Sequence, residues 1–340
     1  MAFTPRAGGG VAEDGAGSRL AIFAEGEGVA LAELRAADPA MGRRLLLRAL
    51  EAVTATRPAP TPLRLDGLNA AGEAGAALGG WLVAEGLAAA AGSGHHVFPE
   101  ALWQRPDLWL PQARAPFPQR FALTGGRRHP VRPRKPEGVV YARHIPWLDA
   151  RFELRGVDIA ADLQRFNRWM NDPRVAAIWD EAGDLGRHRA YLEALATDPH
   201  ILPLIGAVDG VPFAYFEVYW AKENRIAPFY EAGDHDRGWH VLVGEDGFRG
   251  RAYVATWLPS LMHYIFLDDP RTTRVVGEPR ADHHQQLRNL DRSGFARVSS
   301  FDFPHKRAAL VMLTRERFFG DRLWVPDGAP PRAAPPPGTV

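Results

Sequence analysis

The sequence predicts an α+β protein, and three observations carry that prediction. The chain has 340 residues, 46% of them hydrophobic, with ten Trp and seventeen Phe, enough apolar material for two cores of ordinary size. Residues 124–138 read TGGRRHPVRPRKPEG, where Pro and Gly break every periodicity, so this stretch divides the chain. After it, the residue pattern gives an ordered succession of elements: strand, two helices, three strands, helix, strand, helix and two strands.

Taken in order, residues 1–17 are rich in Gly and Ala and are expected to be disordered. From 18 to 123 an α+β domain is expected, with a short strand at Arg19–Phe23 and helix-forming stretches at Leu31–Thr54 and Ala71–Ala90. That half carries no glycine-rich phosphate loop and no acid/base cluster, so its expected role is packing or dimerisation. Residues 124–138 read as an exposed linker, and 326–340 as a disordered Pro-rich tail.

The second domain, 139–320, opens with a strand at Phe152–Val157. Helices follow at Asp162–Trp179, broken at Asp172 and Pro173, and at Leu185–Ala196. Three strands, Ile201–Val208, Phe213–Trp220 and Trp239–Gly244, are rich in branched and aromatic residues, and the turn Asp209, Gly210 joins the first two. A helix at Val254–Leu267, a strand at Thr273–Glu278, a helix at Gln285–Arg292 and strands at Ala296–Asp302 and Ala308–Leu313 complete the pattern.

Composition narrows the function. The 41 basic and 40 acidic residues nearly cancel, so no whole-protein field draws the chain to nucleic acid or an anionic membrane. The five basic residues of 127–135 lack interleaved stacking aromatics and read as a solvated linker. Absence of Cys excludes thiolate metal sites and transfer through a sulfur-bound intermediate. No stretch has the layout of a secretory signal, and the Ala-rich run Gly79–Gly92 is too short to span a bilayer, so a cytoplasmic location is expected.

The chemistry is expected around Trp239–Pro279. Past the strand ending VLVGE come Arg249, Gly250, Arg251, Ala252, Tyr253 and then a helix; a strand, a small loop and a helix N-terminus make an anion site suited to a pyrophosphate. Read on its own, this loop is equally an ordinary turn with two solvated arginines. Alternation sends Trp239, Val241 and Val243 to one strand face and His240 with Leu242 to the other, so His240 is either a satisfied buried imidazole or a poised base. Glu217 shares a face with Tyr215 and Tyr219 and either receives a substrate ammonium or faces solvent. Asp282 and Gln285 have capping-box spacing, which by itself explains the acid. The adjacent His283 and His284 diverge on a helix and make a poor metal pair, and Asp234, His235 and Asp236 read as a turn.

Element order and loop together resemble the GNAT (GCN5-related N-acetyltransferase) superfamily, whose pyrophosphate loop runs Arg/Gln, two residues, Gly, one residue, Gly/Ala. Arg249 matches its first position, and Ala252 and Val254 stand where Gly is commonest. More narrowly, PFAYFEVYWAKENRIAPFY, DRGWHVLVGE, PSLMHYIFLDDP, VVGEPRADHHQQLRNLDRSGF and FDFPHKRAALVML resemble the siderophore-building acyltransferases of the aerobactin, alcaligin and mycobactin type. This resemblance implies a central mixed, mostly antiparallel sheet flanked by helices, preceded by a domain that is a degenerate copy of the same fold. It implies an acyl-coenzyme A donor, acetyl first among them, and no metal. The acceptor implied is a small N-hydroxylated amine that becomes a hydroxamate, with a second copy of the chain or other siderophore-assembly enzymes as partners. His240 and Asp282 are implied at the nucleophile, and backbone N–H groups near Leu242 at the thioester carbonyl. Glu217, Tyr215 and Tyr219 are expected to touch the acceptor. Rival readings are acetylation of another small amine or a protein N-terminus, and a non-catalytic coenzyme A-binding scaffold.

Overall fold

Leu163, Phe166, Trp169 and Met170 recur at helical spacing and are all buried, which ties one helix face to a sheet. Each such side chain stabilises the fold by about 1.5–3 kcal/mol on burial. In the computed structural model, residues 2–6, 9–25, 28–56, 62–111 and 120–326 are described. The described residues divide into two units, those of 2–108 with 319–326 and those of 109–318.

The first unit contains β1 (Ala2–Arg6), β2 (Gly9–Glu13), β3 (Arg19–Glu25), β4 (Gly28–Arg35), α1 (Pro39–Thr54), β5 (Leu63–Asp66), α2 (Gly72–Ala84), β6 (Ala88–Ala91), β7 (Gly94–Val97) and the short α3 (Pro99–Leu102). Its sheet runs β1-β2-β3-β4-β5-β7-β6, antiparallel except where β5 returns parallel to β4 across α1. Leu45, Leu46 and Leu50 of α1 are fully buried with Leu20 and Ile22 of β3.

Three expectations are corrected here. Within the first seventeen residues, Ala2–Arg6 and Gly9–Glu13 form paired strands, because β1 pairs with β2 and β2 continues onto β3. The helix expected from Leu31 starts at Pro39, where Asp38 accepts from the Met41 N–H and Pro occupies the first turn; Leu31–Arg35 belongs to β4. The helix expected to Ala90 ends at Ala84, and Ala88–Ala91 pairs as a strand.

The second unit contains the hairpin β8 (Phe121–Thr124) and β9 (Arg127–Pro130), then β10 (Val139–Ile145), β11 (Ala150–Gly156), α4 (Ile159–Met170), α5 (Pro173–Trp179) and α6 (Leu185–Thr197). There follow β12 (Ile201–Val208), β13 (Val211–Trp220), β14 (Arg237–Val243), α7 (Arg251–Asp268), β15 (Arg274–Gly277), α8 (His284–Arg292), β16 (Ala296–Phe303), β17 (Lys306–Thr314) and α9 (Arg315–Gly320), whose last two residues fall in the first unit. The large sheet runs β10-β11-β12-β13-β14-β15-β17-β16. Only β14 and β15 are parallel, and they pair over two positions, Arg237 with Val275 and Gly238 with Val276. Beyond Gly238 the two strands part. Residues 121–138 therefore belong to this unit; they are no free linker, as the contacts of Arg127, Arg132 and Lys135 described below establish. The expected tail after Pro326 lies outside the described residues.

The two sheets share a connectivity. An antiparallel run, a helix, a parallel strand, a second helix and a hairpin whose later strand inserts give β4-β5-β7-β6 in one and β14-β15-β17-β16 in the other. Among the described residues, the helices α4–α6, which precede β12, have no counterpart ahead of β2.

Candidate active site

Strand register builds the site. In β13 against β14, Glu217 lies opposite His240, Tyr215 opposite Leu242 and Tyr219 opposite Gly238, so these side chains share one sheet face. Gly238 permits this, because a Cβ there would stand 2.3 Å from the Tyr219 ring. That ring's centroid is 4.9 Å from the His240 imidazole, and Trp179 flanks the imidazole at 6.0 Å.

Two buried carboxylates hold the imidazole. His240 Nδ1 lies 2.9 Å from Glu217 Oε2, and Nε2 lies 3.1 Å from Glu278 Oε1. Glu217 also accepts from the hydroxyls of Tyr191, on α6, and Tyr215. Glu278, one residue past β15, accepts from Tyr219 at 2.8 Å and from Arg225 at 3.0 Å. Burial disfavours the imidazolium, but the Glu278 charge and hydrogen bonds to both carboxylates outweigh it and raise the His240 pKa to about 9. The same pairing overcomes burial to hold Glu217 and Glu278 below the usual carboxylate range. Burial and the neighbouring carboxylates push the Tyr191, Tyr215 and Tyr219 hydroxyls up, so all three remain donors at neutral pH.

The His240 side chain is 24% exposed, on a cavity of about 540 Å³. Trp179, Glu217, Arg225, Val241, Glu278 and Lys306 are among its walls. Glu217, Tyr215 and Tyr219 were expected to touch substrate. Tyr215 and Tyr219 are fully buried, are absent from the cavity wall and donate their hydroxyls to Glu217 and Glu278, whereas Glu217 lines the cavity while it holds the imidazole. Asp282 does not meet His240: its side chain is 70% exposed and paired with Arg280 at 3.0 Å, and it is absent from the cavity wall. Nor does Asp282 cap α8; the N-cap is His283, whose Nδ1 accepts from the Gln286 N–H.

Alongside the imidazole runs the opening between β14 and β15. The Gly244 N–H donates to the Phe213 carbonyl and the Ala221 N–H to the Asp236 carbonyl. Ladder alternation then commits the N–H groups of His240 and Leu242 to β13 and turns those of Val241 and Val243 toward the opening. The amides available near Leu242 are thus its two neighbours; Leu242 itself is buried with Trp169 and Tyr215. Past β14, Gly250 has φ +96°, a conformation costly for any other residue, and starts α7 without a side-chain cap. The Ala252 and Tyr253 amides fall in that first turn, where helix geometry provides no intrahelical acceptor. Arg249 pairs with Asp246 at 3.0 Å, and the Tyr253 ring is buried against Phe248, leaving its backbone as the group for a ligand.

Sequence reasoning missed Glu278, Arg225 and Tyr191. Glu278 had a signal: it ends the parallel strand of the fold, and the carboxyl ends of such strands deliver side chains to a cleft. Tyr191 and Arg225 carried none, since each reaches the site from an element whose approach is set by tertiary packing.

A family model described as an acetyltransferase (GNAT) domain matches residues 158–303. The N(6)-hydroxylysine O-acetyltransferase of Escherichia coli is 44% identical over 221 residues, covering 64% of this chain and 70% of that protein. A hydroxyornithine transacylase of Ajellomyces capsulatus is 45% identical over 221 residues, covering 62% of this chain and half of that longer protein. Among solved structures, an uncharacterized protein from Bacillus halodurans is 26% identical, with a TM-score of 0.52 over 55% of this chain and 94% of its own. The chain is an acyltransferase and belongs to the GNAT acetyltransferase family.

Proposed function

We propose that the chain transfers an acyl group from acyl-coenzyme A, with acetyl as the first donor to test, to the nitrogen of a small N-hydroxylated amine, forming the hydroxamate of a siderophore. The observation that carries the reading is an imidazole held between two buried carboxylates at the mouth of the parted strands β14 and β15. Relatives named for hydroxylysine and hydroxyornithine support the acceptor class.

The donor supplies a thioester carbonyl. The first-turn amides Ala252 and Tyr253, with Gly250 and Arg249, would hold its pyrophosphate, and the Val241 and Val243 amides would face its carbonyl. The acceptor's N-hydroxyl group enters against Glu278 and displaces His240 Nε2 from that carboxylate, while Nδ1 keeps Glu217. Losing one carboxylate's attraction lowers the imidazole pKa toward neutrality, where it can exchange a proton. The imidazolium first releases its Nε2 proton to solvent; the acceptor nitrogen then attacks the carbonyl, His240 Nε2 takes that nitrogen's proton, and the C–S bond breaks as the thiolate leaves. Glu278 thereby takes the part that the family resemblance implied for Asp282.

The test is a thiol-release assay crossing acetyl-, succinyl- and longer acyl-coenzyme A with hydroxyornithine, hydroxylysine, hydroxylated diamines and their plain amines. Preference for an N-hydroxylated acceptor is expected; preference for the plain amine would overturn the hydroxamate reading.

A further inference from the structure

Residues 127–135, whose charges and prolines look like solvated linker, are bound tightly to the second unit. The Arg132 side chain is 1% exposed and forks onto Glu223, donating through Nε at 2.6 Å and Nη2 at 2.5 Å. Its third nitrogen, Nη1, donates to the Asp234 carbonyl at 2.8 Å. Glu223 and Asp234 stand near opposite ends of the segment joining β13 to β14, so one guanidinium ties both ends of that segment. The Arg132 guanidinium also lies 4.3 Å from the centre of the Trp220 ring, at the end of β13. His129 Nδ1 is 2.9 Å from Glu223 Oε1, and Arg127 donates to the Glu223 and Asn224 carbonyls. Lys135 anchors the far end of the strap on the Leu195 carbonyl of α6.

The tied segment forms a wall of the cavity through Glu223, Asn224 and Arg225. Arg225 donates to Glu278, and Glu278 faces His240. Burying an ion pair gains little stability unless every hydrogen bond is made, whereas removing one partner strands a buried charge. Here the pairing is complete, and its geometric result is to fix the backbone that presents Arg225.

We propose that Arg132, with Arg127, is a positioning residue for acceptor binding: the strap clamps Glu223 and Asn224 so that Arg225 holds Glu278 beside His240. The inference rests on the acceptor entering at Glu278. A misplacement of about 1 Å at a site can cost a hundredfold in rate, so a remote clamp has leverage.

The test uses the full chain with Arg132→Met, Arg132→Lys and Arg127→Ala. For Arg132→Met the acceptor KM should rise about tenfold or more while the acyl-coenzyme A KM stays within twofold. Arg132→Lys, which keeps the charge and loses the fork, should fall between wild type and Arg132→Met. Amide hydrogen exchange across Lys222–Ala227 should accelerate in Arg132→Met and Arg127→Ala, with α7 unaltered. Equal rises in both KM values, or an acceptor KM at the wild-type level, would overturn the assignment. Should Arg132→Met not fold, Arg127→Ala gives the same readouts, since it removes bonds to two backbone carbonyls and leaves the buried ion pair intact. If wild type prefers a plain amine, the hydroxamate reading fails and the KM comparison is made with that amine; the exchange result needs no acceptor.

Discussion

His240 Nε2 stands 3.1 Å from Glu278 Oε1, so the imidazole and the carboxylate just past β15 form one titrating unit across the parted strands. The His240 pKa, raised from its usual 6.5 to about 9, should be visible as a proton NMR titration of the ring. Glu278→Gln removes the larger of the two carboxylate attractions and should bring that pKa down toward neutrality. A titration midpoint unmoved by Glu278→Gln would contradict the pairing.

Stability should follow the same groups. A raised imidazole pKa stabilises the fold fully below about 6.5 and loses that contribution as pH climbs through 9. A lowered Glu278 pKa stabilises above its usual 4.5 and loses that contribution as pH falls through its depressed value. Thermal midpoints should therefore show a contribution from His240 that is largest between about pH 4.5 and 6.5 and shrinks to either side. His240→Ala should flatten that dependence.

Glu278→Gln and Asp282→Asn separate two carboxylates only four residues apart. The first should lower kcat by about two to four orders of magnitude, because it removes the proton partner of His240. The second breaks an exposed pair with Arg280 and should change kcat by less than tenfold, about what loss of a surface ion pair does. Steady-state kinetics of the two variants at saturating donor decides between them.

Donor binding should depend on α7 and not on α1. Gly250→Ala forces a side chain into φ +96° and should raise the acyl-coenzyme A KM while sparing the acceptor KM. Charge reversal at Arg249 should act in the same direction. In the first unit the equivalent helix start is filled by the Asp38 carboxylate, which accepts from the Met41 N–H and would repel a phosphate. Calorimetry should give one acyl-coenzyme A per chain; two would contradict this reading of α1.

Much of this architecture was legible because its signals are local. The turn Asp209, Gly210, the break at Asp172–Pro173 and the branched and aromatic runs of β12, β13 and β14 place their elements within a few residues. His240 was legible as a histidine on an apolar strand beside a helix N-terminus. Its partners were not, since Glu217, Tyr215 and Tyr219 show only that they share a face, and which polar atom that face meets depends on the β13–β14 register. The strap was misread for a related reason: Arg132 looks solvated until its distant partner Glu223 is placed. Leu31–Arg35 was misread because its apolar residues fit either period, and the decisive helix start, Asp38 with Pro39, lay further along.

The central claim, that His240 handles the proton while the α7 end holds the donor, is tested most directly by pairing turnover with donor affinity in His240→Ala. The account predicts that turnover falls by about two to four orders of magnitude while the acyl-coenzyme A dissociation constant stays at the wild-type value. Turnover equal to wild type in a folded His240→Ala chain would contradict it.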